Sequence, residues 1–204
     1  MRLSLVLCLL VTASVAEAQP DWDAEEARIA ALPHARGIAH ESMRDRDLRS
    51  AHGAVKRPVA MARRVASADP RARLQERRYE LRAFRLGPGE LGAALEGMAR
   101  AHHRPDPTDF VFYARIEPLA DPDAAALAAA IDCGSPLGPA EHRRRDALAA
   151  RLAAELAARP SLRAFVVHAG WGDAVGSAFH GVALVDSTGR EALWIHAIES
   201  WGFD

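Results

Sequence analysis

Three histidines and one cysteine are the side chains whose types and spacing could do chemistry in this chain. His168, His180 and His196 fall in three successive strand-like runs near its C-terminal end. Neutral imidazoles on adjacent strands can hold zinc in a tetrahedral set that leaves a fourth position for water. No HxH or HExxH spacing accompanies them, and the competing reading is of polar histidines at the rim of a sheet. A second arrangement uses Cys133 as nucleophile, His180 as its base and His196 as the group that orients the base. Asp173, in the glycine-rich stretch 170–176, is a further polar candidate beside them. Cys133 also reads as a small buried hydrophobe, the commonest state of a lone thiol.

Whether His180 meets His196 depends on one turn. Asp186-Ser187-Thr188-Gly189 sets Asp at the first position of a type I turn and Gly where φ becomes positive, which predicts a three-residue hairpin loop with a bulge. That loop pairs Asp186 with Arg190, Leu184 with Ala192, Val182 with Trp194 and His180 with His196. The two imidazoles then share a sheet face, with Cβ atoms roughly 5 Å apart. A four-residue loop would instead put Gly181 opposite His196. With the three-residue loop, Trp194 shares the face of His180 and His196, as a pocket wall or as core.

The elements that position these residues are legible from periodicity. Runs 162–169, 178–186 and 191–199 predict strands. So does 109–117, where Phe110, Phe112 and Ala114 alternate with Val111, Tyr113 and Arg115, and its aromatic content predicts a central strand. Leu91, Leu95 and Met98 at i, i+4 and i+7 predict a helix ending near His102-His103. Asp121 as N-cap and Pro122 as N1 predict a short helix with Leu127 and Ile131, stopped at Gly134. A longer helix from Pro139 displays Leu148, Leu152 and Leu156 and ends at Arg159-Pro160. Residues 22–85 are polar and Arg-rich and are interrupted at Pro33, Gly37, Gly53, Pro58 and Pro70. They predict short, weakly anchored helices or a partly disordered arm, with Val59, Met61, Val65, Leu74 and Leu81 as the candidates for docking it.

At this point the chain resembles the NlpC-type papain-like cell-wall peptidases over about seventy residues, in Asp132-Cys133-Gly134, His180-Gly181-Val182 and Ile195-His196-Ala197. In that family a Cys in an Asp-Cys-Ser-Gly motif opens a helix, a His begins a later strand, and a third polar residue lies on the next. The resemblance implies a thiol peptidase with Cys133, His180 and His196 as its catalytic residues. Here Gly134 follows the Cys directly, and Cys133 comes after a helix C-terminus, where the macrodipole disfavours a thiolate.

Residues 1–18 carry Arg2, an apolar run from Leu3 to Ala13 and the small residues of Ala16-Glu17-Ala18, the pattern of a cleavable export signal. Its apolar core is too short to span a bilayer, which takes roughly 20 residues. Cleavage after Ala18 removes Cys8 and leaves Cys133 as the single thiol, so packing rather than a disulfide must hold the exported chain. The net charge of −1 gives no global polyanion signal, and nothing marks a nucleic-acid site. Residues 42–79 nevertheless hold eleven Arg or Lys against four Asp or Glu, a stretch that could meet an anionic surface or envelope component.

The sequence thus predicts an α+β fold: an antiparallel sheet with a C-terminal β-hairpin packed against two or three helices, preceded by an Arg-rich helical arm. The parts are a signal peptide (1–18), the arm (19–85) and the α+β domain (86–204). Two functions are expected from it. One is a secreted or periplasmic hydrolase with its site around His180 and His196, working through Cys133 or through zinc on His168, His180 and His196. The other is a non-catalytic envelope binding protein.

Overall fold

The computed structural model describes residues 36–38, 43–62, 76–103, 112–132, 138–172 and 176–201. The export segment, Cys133 and Asp173 lie outside the described residues. The elements in chain order are β1 (Arg36–Ile38), α1 (Arg46–Ala62), β2 (Glu76–Arg85), α2 (Leu91–His103), β3 (Phe112–Pro118), α3 (Ala124–Ile131), α4 (Pro139–Ala158), β4 (Arg163–Gly172), β5 (Gly176–Val185) and β6 (Glu191–Trp201). The fold is α+β: one antiparallel sheet in the order β1-β2-β6-β5-β4-β3, with the C-terminal hairpin β5-β6 near its middle.

Period-2 alternation along the strands divides the core between the two faces of the sheet. On one face Val182, Leu184, Leu193, Ile195 and Ala197 pack with Leu48, Val55 and Val59 of α1, Leu127 and Ile131 of α3, and Leu148 and Leu152 of α4. On the other, Phe179, Ala183, Ala192, Trp194 and Ile198 pack with Leu95, Met98 and Ala99 of α2. Burying a Leu, Val or Phe side chain contributes about 1.5–3 kcal/mol each, so both layers are held chiefly by apolar burial.

The weakly anchored arm is not what forms over the described part of 19–85. The helix α1 runs through Gly53 and Pro58, although an interior proline costs about 3 kcal/mol. Its apolar stripe Leu48, Ala51, Val55, Val59 and Ala62 is buried and offsets that cost. Met61 is 53% exposed and does not dock. The start of α1 is tied to β6: the buried Glu191 carboxylate accepts from the backbone N–H groups of Arg44 (2.9 Å) and Asp45 (2.8 Å), while Asp45 Oδ1 accepts from Leu48 N (2.8 Å). Residues 76–85 become a full strand paired along its length with β6.

Two further expectations change. The aromatic run near 112 is the edge strand β3 rather than a central one. It ends at Pro118, exposes Tyr113 and pairs Arg115 with Glu117 in solvent at 2.7 Å, and charge and proline are what protect an edge. The cap of α3 is Asp123 rather than Asp121, its Oδ1 accepting from Ala126 N at 2.7 Å. Asp123→Ala is expected to lower stability by about 1 kcal/mol in chemical denaturation, whereas Asp121→Ala should not.

The hairpin turn has the expected chemistry but one more residue. Gly189 has φ +70° and its N–H bonds Asp186 O at 3.1 Å, yet Asp186 N pairs with Glu191 O at 3.2 Å, closing a four-residue loop. The Asp186 carboxylate retains the extra residue by accepting from the N–H groups of Thr188 (3.1 Å), Arg190 (2.8 Å) and Glu191 (2.8 Å), and from the Thr188 hydroxyl. Burial raises its pKa, but these bonds outweigh burial and hold it below the ordinary 3.8. A carboxyl depressed in the folded state adds stability above its unfolded pKa and loses it as pH falls through the folded value. Asp186→Asn should therefore lower the melting temperature at pH 7 and flatten the fall in melting temperature between about pH 5 and pH 2.

Candidate metal centre

The extra loop residue rearranges the expected site. Gly181 stands opposite His196 and His180 opposite Ala197. A one-residue slip moves a side chain to the other face of a sheet, so His180 and His196 point away from each other. His180 lies beside His168, its partner on β4, with ring centroids 4.6 Å apart. His168 Nε2 meets the Ala130 carbonyl of α3 at 3.0 Å, on the three-helix face. The three histidines therefore do not converge, and His196 stands apart from the other two. Cys133 and Asp173 lie outside the described residues.

His196 belongs to a different group, under α2. Trp194 stacks on it at 4.0 Å and 25°, Phe179 lies 5.9 Å away, and His102 meets it edge-on at 5.1 Å. His102 reaches the sheet because Leu91, Leu95, Met98 and His102 continue one helical stripe. Across the β2-β6 pair Glu80 is directly opposite His196, and His102 Nε2 lies 3.6 Å from Glu80 Oε2. One donor atom from each of Glu80, His102 and His196 lies within 4.8 Å of the other two.

No family model, curated protein or solved structure matches the chain.

The chemistry of the cluster therefore rests on its own geometry. Two imidazoles and one carboxylate form a zinc donor set, and tetrahedral zinc with bonds near 2.0–2.2 Å needs its ligands about 3.3–3.5 Å apart, against 3.6 Å between His102 Nε2 and Glu80 Oε2 and a bound of 4.8 Å for the set. Burial pushes the pKa of His102 down; Glu80 opposes this, and Arg82 and Arg78 reinforce it. His102 is thus held as the neutral imidazole, the form that ligates metal. His196 is fully buried, whereas the side chains of His102 and Glu80 keep 17% and 10% of their surface, so the cluster meets solvent on their side. The aromatic wall of Phe84, Phe179 and Trp194 supplies low-dielectric packing around it. Trp194 Nε1 is buried with no hydrogen-bond partner among the described residues.

Of the three donors, sequence reasoning reached His196 alone, and with the wrong neighbours. Glu80 was legible in principle: Arg78-Tyr79-Glu80-Leu81-Arg82-Ala83 alternates polar and apolar residues, the mark of a half-buried strand. His102 could have been found by extending the Leu91, Leu95, Met98 stripe by four residues.

Proposed function

We propose that this chain is an exported zinc protein whose metal is held by Glu80, His102 and His196, and that it acts as a metal-dependent hydrolase outside the cytoplasm. The observation that carries the reading is the meeting of three donors of zinc-ligand type from β2, α2 and β6 within 4.8 Å, in a largely buried setting. Three protein ligands leave a position for water, whose pKa zinc lowers to about 7, and that is the composition of hydrolytic rather than structural zinc sites. Export is supported by the pattern of residues 1–18. The mature chain should begin at Gln19 and be found outside the cytoplasm; fractionation that finds it only in the cytoplasm, with Met1 intact by N-terminal sequencing, would sink the export reading. Metal analysis tests the centre itself. Protein equilibrated with zinc and freed of excess should retain it stoichiometrically, and a wild-type chain that retains none would overturn the proposal.

A second reading, a binding protein of an anionic envelope surface, is favoured by the outer side of α1. Arg46, Arg49, Lys56 and Arg57 are exposed there, with Arg44 just before the helix, and Arg144 of α4 reaches across to the Met61 carbonyl at 3.3 Å. Each basic side chain near an anionic bilayer contributes about 1 kcal/mol and is screened by salt. Sedimentation with anionic vesicles, absent with zwitterionic ones and abolished by salt, would support it.

A further inference from the structure

The carboxylate of the proposed centre is gripped by two arginines. Arg78 and Arg82 lie on β2 two residues to either side of Glu80, hence on its face of the sheet. Arg82 Nε is 3.0 Å from Glu80 Oε2 and Arg78 Nε is 3.4 Å from Oε1, so two guanidinium groups converge on one carboxylate. Both arginine side chains are 54% exposed, whereas Glu80 keeps 10%.

We infer that Arg78, Arg82 and the metal together form a phosphate-type oxyanion site, which makes the substrate class of the proposed hydrolase a phosphate ester. The inference rests on the metal reading above. Without metal, two guanidinium charges face one carboxylate, an excess of one positive charge. A divalent ion bound by Glu80 and two neutral imidazoles raises that excess to three, beside a wall of buried aromatic rings. Uncompensated charge at such a place is costly, so the loaded centre calls for a counter-anion. The Glu80 carboxylate has about four lone-pair sites, so a metal and both arginine Nε groups can share it, with the metal drawing charge away from the arginine contacts. Metal binding weakens those pairs and leaves guanidinium N–H groups on the solvent side, where their fork matches oxyanion geometry. A carboxylate offers two oxygens to these three cationic points, whereas phosphate offers enough to meet all of them.

The test is calorimetric titration of inorganic phosphate into the full mature protein, zinc-loaded and metal-free, with acetate as the comparison anion. Zinc-loaded wild type should bind phosphate at least about tenfold more tightly than the metal-free protein or than Arg78→Gln/Arg82→Gln, as expected for loss of charge-assisted bonds. The double variant should keep its zinc, measured on the same sample. Zinc retention by the wild type without phosphate binding, equal binding by the double variant, or acetate binding as well as phosphate each overturns this inference alone. Failure of the wild type to take up zinc overturns the metal reading and this inference with it.

Discussion

His102→Ala is expected to abolish zinc binding while leaving the metal-free fold nearly intact. His102 keeps 17% of its side-chain surface at the last turn of α2 and its ring packs edge-on against Phe84, Phe179 and Trp194, so the metal-free variant should melt somewhat lower yet still fold. What it removes is one of three donors, a larger loss than the roughly 10–100-fold in affinity that follows removal of an outer-shell partner. A ligand that binds only the folded state stabilises it by about 2.7 kcal/mol at a hundred times its dissociation constant. For a chain of this size each kcal/mol shifts the melting temperature by about 2–4 °C. The wild type should therefore melt several degrees higher with zinc than with chelator, and His102→Ala should show no such difference. His168→Ala is the discriminating control. That ring is on the opposite face, against Ala130, so its loss should leave the zinc-dependent shift unchanged. If His168→Ala abolishes the shift and His102→Ala does not, the centre has been assigned to the wrong face.

The contrast between these two variants reflects what local sequence does and does not encode here. The α2 and α4 helices, the three C-terminal strands and the α+β class all follow from apolar periodicity, which records burial residue by residue. The side-chain pairing of His180 with His196 needed the loop length, which is set by competition among hydrogen bonds. The Asp186 carboxylate takes three backbone donors, the last from Glu191, and so holds one residue more in the loop than the Asp-Ser-Thr-Gly signature requires. A single residue of register exchanged one histidine partner for another.

The Arg-rich helix forms as expected, but its firm anchoring and the strand after it were not legible, for a related reason. Arginine density between residues 42 and 79 masked the inward positions of that helix and strand, Leu48, Val55, Val59, Tyr79 and Leu81, because their burial is supplied by elements distant in sequence. Glu80 could be read as polar surface until β6 was known to lie beside it. The edge position of β3 was likewise invisible to its own residues: aromatic and branched content shows that a strand forms, not which neighbours it has.

Gly181 is where register and site meet, and Gly181→Ala is expected to damage both. An alanine Cβ at this position would run into the Ile195 carbonyl and lie 2.5 Å from His196 Cβ, far inside van der Waals contact. Facing pairs on antiparallel strands normally keep Cβ atoms about 4.5–5.5 Å apart. The strands therefore approach unusually closely here, and only glycine opposite His196 permits it. The obstructing atoms are backbone and a β-carbon, which cannot swing aside as the end of a flexible side chain could. Either β5 and β6 separate locally or His196 moves. Overpacking of this kind costs about 1–3 kcal/mol, which at about 2–4 °C per kcal/mol should appear as a fall of several degrees in the melting temperature of the metal-free protein. Displacing His196 from its stack on Trp194 also pulls one donor away from Glu80 and His102, so the zinc-dependent shift should shrink as well. A Gly181→Ala protein that melts lower yet keeps the full zinc shift would show that β5 gives way and His196 stays in place. One that melts as the wild type does would show that the close approach of the two strands is not a feature of the folded chain.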